Sequence, residues 1–194
     1  MAEIVLFHSA LGLTPGAHRF ADAVRGAGHT VTMPDLYEGA VFEDLAEGVA
    51  MVEEVGIPEL VARATTATAS LPNELVYAGF SMGTAPALVL ATARPGARGV
   101  LLMHGAIPLE VLGVGTWPTG LPVQVHTSPG DPWMEPWEIE GLTADVPPDL
   151  WEHFEYPGTG HLFTDSSSPD HDPEALATLL VRANAFLDRI DGAR

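Results

Sequence analysis

The sequence predicts a mostly parallel, doubly wound α/β sheet flanked by helices, and three observations carry that expectation. Short apolar runs without polar alternation recur along the chain, as strands buried on both faces require. Most are separated by stretches of helical spacing or by Gly/Pro loops, and alternation of strand with helix implies parallel crossovers. The composition, 46% hydrophobic and 18% charged over 194 residues, suits one domain with a core of ordinary size.

The first strand run is Ile4-Val5-Leu6-Phe7, followed by helical spacing over Ala17–Ala27 and a second run at Thr30–Met33. A long helical stretch, Phe42–Leu71, is broken by Gly56-Ile57-Pro58, since both glycine and proline interrupt helices. Leu75–Gly79 reads as a strand, Met82–Ala93 as a helix, and Val100–Met103 and Pro122–Val125 as two further strands. Pro136–Leu142 is helical, Trp151–Tyr156 is the last strand and Pro173–Ile190 the last helix. Pro86 removes a backbone donor early in its helix, where the loss is small. The Thr164–Pro173 segment carries three serines, three aspartates and two prolines, a composition expected on the surface. No internal repeat or low-complexity tract divides the chain.

Charge and composition exclude several functions. Acidic residues outnumber basic ones 26 to 8, giving a formal charge of −18, which repels phosphate backbones and anionic lipid. Nucleic acid and membrane surfaces are therefore not expected partners. All eight basic residues are arginine, so no lysine is present for a Schiff base or a phosphate-binding loop. Without cysteine there is no disulfide, thiolate metal site or thiol nucleophile. Leu75–Ala93 carries no charge, but Gly79, Ser81, Gly83, Thr84 and Pro86 interrupt it, so it reads as core and not as a membrane span. Met-Ala-Glu-Ile lacks a basic, then apolar, export signal, and a cytoplasmic location is expected. Gly26-Ala27-Gly28 ends a helix and enters a strand, the reverse of a dinucleotide fingerprint.

Gly79-Phe80-Ser81-Met82-Gly83 closes a strand pattern and opens a helix pattern, the context of a Gly-x-Ser-x-Gly nucleophile elbow. Glycines two residues either side let neighbouring backbone approach the bend, and the serine hydroxyl is pushed out of the sheet. The helix behind it aims free N–H groups at a developing oxyanion, with the Met82 N–H as the natural donor.

Serine needs a neutral imidazole to take its proton and an acid to fix that imidazole's tautomer. In this fold class the order is Ser, then Asp or Glu, then His, which leaves His104, His126, His153, His161 and His171. His161 follows the last strand through Pro157-Gly158-Thr159-Gly160, so it sits on a loop at a strand end and is the expected base. His104 and His126 end buried runs, where a histidine hydrogen-bonded to its surroundings is the commoner outcome. His153 lies within a strand. His171 sits in an acidic loop, but no Glu-x-x-His or His-Glu-x-x-His spacing supports a metal. Asp131, on the turn after Val123–His126, is the expected acid, in preference to Asp145, Asp149 and Asp165.

His8–Leu13 (HSALGL), Met33–Gly39 (MPDLYEG), Gly79–Gly83 (GFSMG), Ser128–Pro132 (SPGDP) and Gly158–Phe163 (GTGHLF) together resemble the dienelactone hydrolase family of α/β hydrolases. The resemblance spans nearly the whole chain, and MPDLYEG is its most family-specific piece. It implies a compact, lidless α/β-hydrolase fold with Ser81 as nucleophile, Asp131 as orienting acid and His161 as base. It also implies an oxyanion hole formed by the N–H groups of Met82 and Ala10.

Three departures from the family shape the expectation. Its best-known members carry cysteine where this chain has Ser81, which points to an ordinary serine esterase mechanism. They carry glutamate where this chain has Ser9. Lactone-specific members bind the substrate carboxylate with an arginine four residues after the base, where this chain has Asp165, so an anionic dienelactone is disfavoured.

The expected activity is hydrolysis of a small carboxylic ester or lactone through an acyl-enzyme, with no metal or organic cofactor. Trp133, Met134, Trp137 and Phe163 lie near the expected acid and base and either line an apolar pocket beside Ser9 or serve as packing. Beyond the substrate, the expected state is a monomer or small homo-oligomer. A second reading is a non-catalytic α/β-hydrolase-fold protein that binds a small apolar ligand or a protein partner, since fold does not fix function. The two differ in whether Ser81 is chemically activated.

Overall fold

In the computed structural model, which describes residues 1–192, six strands form one sheet in the order β2-β1-β3-β4-β5-β6. The strands are β1 (Glu3–Phe7), β2 (Thr30–Thr32), β3 (Val76–Phe80), β4 (Gly99–Met103), β5 (Val123–Thr127) and β6 (Trp151–Glu155), and every neighbouring pair is parallel. The helices are α1 (Pro15–Gly26), α2 (Leu45–Val55), α3 (Ile57–Thr68), α4 (Thr84–Ala93), α5 (Pro136–Asp145) and α6 (Pro173–Gly192).

Alternation of side chains across the sheet sorts the core into two layers. Val5 and Phe7 face α3, α4 and α5, where they pack with Leu60, Leu88 and Leu142. Ile4 and Leu6 face α1 and α6 and join Phe20, Val24, Leu179 and Phe186. Strands β3, β4 and β5 are buried along their whole length, and β3 and β4 accordingly carry no charged or strongly polar residue, whereas β5 buries Gln124, His126 and Thr127. Strand β6 closes one edge and is only half-buried.

Several element boundaries differ from the sequence expectation for identifiable reasons. Helix α1 begins at Pro15, two residues early, because Thr14 caps it by accepting from the Ala17 N–H and proline suits a first turn. The long stretch becomes α2 and α3, the first ending and the second starting at Gly56, whose φ of 83° lies in the left-handed region that glycine tolerates. The helix expected from Met82 starts instead as a 3-10 turn over Ser81–Gly83 before α4. Pro86 falls in the first turn of α4 and breaks no helical bond. Within the loop expected on the surface, Thr164 and Asp165 are buried.

Chain order reverses direction between β1, which leads outward to β2, and β3, which leads the other way to β4. In open α/β sheets this switch point opens a crevice at the carboxyl ends of the strands, and functional groups collect there. Ser81 follows β3 and Ala10 follows β1, so both stand at the crevice. Among the described residues no helix is long and apolar enough to cross a membrane.

Candidate active site

Ser81 has φ of 49°, a left-handed conformation that costs a non-glycine residue about 1–3 kcal/mol. Its neighbours explain how the bend is tolerated. A Cβ on Gly79 would stand 2.2 Å from the Gly83 carbonyl oxygen, and a Cβ on Gly83 would stand 2.4 Å from the Phe7 oxygen and 2.6 Å from the His8 oxygen. Both glycines are therefore demanded by backbone that approaches from the other side of the turn. The Thr84 hydroxyl donates to the Ser81 carbonyl at 2.7 Å and closes the bend from below.

The structure brings the three residues singled out as nucleophile, base and acid into one hydrogen-bonded chain. Ser81 Oγ lies 2.7 Å from His161 Nε2, and His161 Nδ1 lies 2.6 Å from Asp131 Oδ2. A carboxylate only accepts, so Nδ1 carries the proton and Nε2 is left free to accept from the serine. Asp131 and His161 are buried while Ser81 keeps partial access to solvent. The other Asp131 oxygen accepts from the Trp133 N–H at 2.9 Å, which fixes the carboxylate's plane.

One residue absent from the sequence expectation holds the His161 backbone in place. Asp170 accepts from the His161 backbone N–H at 3.0 Å, and its Cβ lies 3.0 Å from where a Cβ on Gly160 would sit. Only its membership of an acidic loop was visible in sequence, and that marked it as surface.

The loop after β1 meets the elbow on its other side. Met82 stands second in the 3-10 turn, where a helical N–H has no intrahelical acceptor and faces outward. Ala10 lies between Ser9 and Leu11 in a tight turn closed by the Gly12 N–H donating to the Ser9 carbonyl at 3.0 Å. Ser9 is buried and its hydroxyl accepts from the Leu11 N–H at 3.2 Å, so it braces this loop.

The remaining histidines are committed elsewhere. His126 Nδ1 pairs with the Tyr156 hydroxyl at 2.8 Å and Nε2 with Gln124 Oε1 at 2.9 Å, and burial lowers its pKa to about 3. His104 is buried with φ of 61° and pairs with the Thr164 hydroxyl at 2.6 Å; burial holds its pKa well below the ordinary value. His153 Nε2 pairs with Thr127, and His171 Nδ1 with the Phe163 carbonyl. Among the described residues no group of three or more His, Asp or Glu is placed to hold a metal.

The pocket expectations divide. Trp133 is 46% exposed with its ring centroid 6.3 Å from that of His161, so it flanks that imidazole. Trp137 is exposed on the first turn of α5. Phe163 requires correction: it lies in the core on the α1/α6 side, edge-on to His104 at 4.5 Å, and presents no open face. Asp165 is expected from sequence to bring negative charge to the substrate. Its carboxylate instead accepts from the Thr14 hydroxyl at 2.5 Å and the Ser167 N–H at 2.8 Å, at the positive end of α1. A different carboxyl, Glu138, stands close enough to feel Asp131 and His161. Burial foremost, then the Glu135 and Asp131 charges, pushes its pKa up.

A parallel sheet whose switch-point strand ends in a strained serine, bonded to a histidine from a later strand end, defines an α/β hydrolase. The chain belongs to the dienelactone hydrolase family, whose model matches residues 1–190. Among solved structures it is similar to a dienelactone hydrolase-like promiscuous phosphotriesterase from metagenomic libraries. That protein is 19% identical with a TM-score of 0.74 over 98% of this chain and 87% of the other. It is also similar to a thioesterase domain from the curacin biosynthetic pathway, 15% identical with a TM-score of 0.62 over 93% of this chain and 90% of that one. An esterase domain from a Rhodothermus marinus protein is 13% identical, with a TM-score of 0.61 over 97% and 87% of the two chains. Likeness at these identities concerns the fold. No curated protein matches the sequence.

Proposed function

We propose that the protein is a serine hydrolase that cleaves a small, uncharged carboxylic ester or lactone through an acyl-enzyme on Ser81. The observation that carries the reading is the continuous relay from Ser81 Oγ through His161 to Asp131, at 2.7 and 2.6 Å. As Oγ attacks the carbonyl carbon, its proton passes to His161 Nε2, and Asp131 stabilises the imidazolium that forms. The oxyanion is held by the Met82 and Ala10 N–H groups, each worth on the order of 10²–10³ in turnover. His161 then protonates the leaving alkoxide. In the second half a water gives its proton to Nε2 and attacks the acyl carbon; the acyl–Oγ bond then breaks, Nε2 returns the proton to Ser81 Oγ, and the carboxylic acid departs.

Solved neighbours are named as an esterase domain, a thioesterase domain and a phosphotriesterase, names that accord with hydrolysis at an electrophilic centre. The preference for an uncharged substrate rests on the company of the base, Trp133 on one side and the carboxyl of Glu138 nearby, in a chain of formal charge −18.

Ser81→Ala is expected to abolish cleavage of p-nitrophenyl acetate while the circular dichroism spectrum is retained; undiminished turnover would reject the assignment. The wild-type protein is expected to cleave p-nitrophenyl acetate with higher kcat/KM than the singly charged p-nitrophenyl hemisuccinate. Raising ionic strength should narrow that gap, since screening weakens the repulsion.

A further inference from the structure

The His8 side chain joins two segments that frame the crevice. His8 is fully buried at the end of β1. Its Nε2 receives the Leu36 backbone N–H at 3.0 Å, and its Nδ1 lies 2.8 Å from the Ser9 carbonyl oxygen. An amide N–H is only a donor, so Nε2 must hold the lone pair and Nδ1 must carry the proton. His8 therefore donates from Nδ1 to Ser9. Burial lowers its pKa, so the ring stays neutral and this tautomer persists.

The Ser9 carbonyl and the Ala10 N–H belong to one peptide group. In a trans peptide the two point in opposite directions, so fixing the oxygen fixes the direction of the N–H. Here the oxygen is held by two donors, His8 Nδ1 at 2.8 Å and the Gly12 N–H at 3.0 Å. Donation to a carbonyl also polarises the amide and strengthens the hydrogen bond that its own N–H can give. Close backbone packing fixes the distance: a Cβ on Gly83 would meet the Phe7 and His8 oxygens, and a Cβ on Gly48 would stand 2.4 Å from the Ala10 oxygen. The Ser9–Ala10 peptide is thus held at its oxygen, and the peptides before and after it are packed closely against the elbow and α2.

We infer that His8 is a positioning residue for the oxyanion hole: its Nδ1–H orients and polarises the Ser9–Ala10 peptide so that the Ala10 N–H faces the oxyanion formed on attack by Ser81. The inference rests on the serine hydrolase reading above. His8 touches neither substrate nor Ser81, and its effect is on transition-state stabilisation through Ala10. Its link to Leu36 also ties the hole to the Met33–Gly39 loop, so that loop and the oxyanion donor move as one unit.

Two near-isosteres separate the two hydrogen bonds. Asn carries a donor where Nδ1 stands and cannot reach Leu36; Gln carries an acceptor where Nε2 stands and cannot reach the Ser9 oxygen. His8→Asn, His8→Gln and Ser81→Ala are compared with the wild-type protein in kcat and KM for p-nitrophenyl acetate, in Ki for phenylboronic acid and in Tm. His8→Gln is expected to lower kcat about 10- to 100-fold, short of or equal to the loss of a whole oxyanion donor. It should raise the boronate Ki in step and leave KM within about threefold, because the hole acts on the transition state. His8→Asn is expected to recover most of kcat even where its Tm is as low as that of His8→Gln. Equal kcat in the two variants, or losses that follow Tm alone, would overturn the role of His8 while an inactive Ser81→Ala kept the hydrolase reading intact. An active Ser81→Ala would instead remove the hydrolase reading itself.

Discussion

At the scale of single residues the site is decided by backbone that side chains must not obstruct. Gly83→Ala would place a methyl against the carbonyls of Phe7 and His8, neither of which can swing away. It is expected to cost more than about 2 kcal/mol in urea denaturation and to lower kcat with it, as strain at a special bend does. Asp170→Ala, by contrast, releases the turn that carries His161. We expect kcat to fall by about tenfold or more with the far-ultraviolet spectrum intact, since small misplacements of a reacting group carry large kinetic costs. The meeting of Ser81, Asp131 and His161 was legible because a serine relay restricts residue types and chain order. Asp170 and His8 were not, because each acts through hydrogen bonds to backbone, and nothing in a sequence marks which backbone group a side chain will meet.

At the scale of elements, burial on both faces leaves an unbroken signature in β3 and β4, while β2 and β6 at the sheet edges and the polar-containing β5 carry a weaker one. Helix starts were less legible where the capping group is remote. Helix α1 receives Thr14 locally, but Thr14 in turn donates to Asp165 from a loop about 150 positions later. Gly16 leaves the room: a Cβ there would stand 1.6 Å from the Asp165 carboxylate. Asp165→Ala is therefore expected to cost about 1–3 kcal/mol in chemical denaturation through the exposed end of α1 and the unpaired Thr14 hydroxyl. This is also why the residue replacing the family's arginine could not be assigned from sequence: its position suggested the substrate, and its contacts belong to a helix terminus.

At the scale of the whole molecule, three histidines, His8, His104 and His126, are buried and held neutral by desolvation. Their folded pKa values lie below the unfolded value, so below about pH 6.5 the unfolded chain binds protons that the folded chain refuses. Stability is then full above that pH and falls as acid is added, through a window that for His126 extends down to about 3. Each such group contributes a slope of about 1.4 kcal/mol per pH unit within its window. Calorimetry between pH 7 and pH 5 should show Tm falling, and His126→Gln should show a shallower fall; a flat profile in the wild-type protein would contradict the buried neutral state. The fold class followed from strand and helix alternation together with the bulk composition. Which strand ends meet at the crevice did not, because the switch point depends on sheet order, which the alternation leaves open.

The central claim is that Ser81 is activated by His161. The most direct measurement is intact and peptide mass spectrometry after exposure to a fluorophosphonate, for the wild-type protein and for His161→Ala. One adduct per chain, mapped to Ser81, is expected, with its near-complete loss in the variant. An unlabelled wild-type protein, or equal labelling with and without the imidazole, would contradict it.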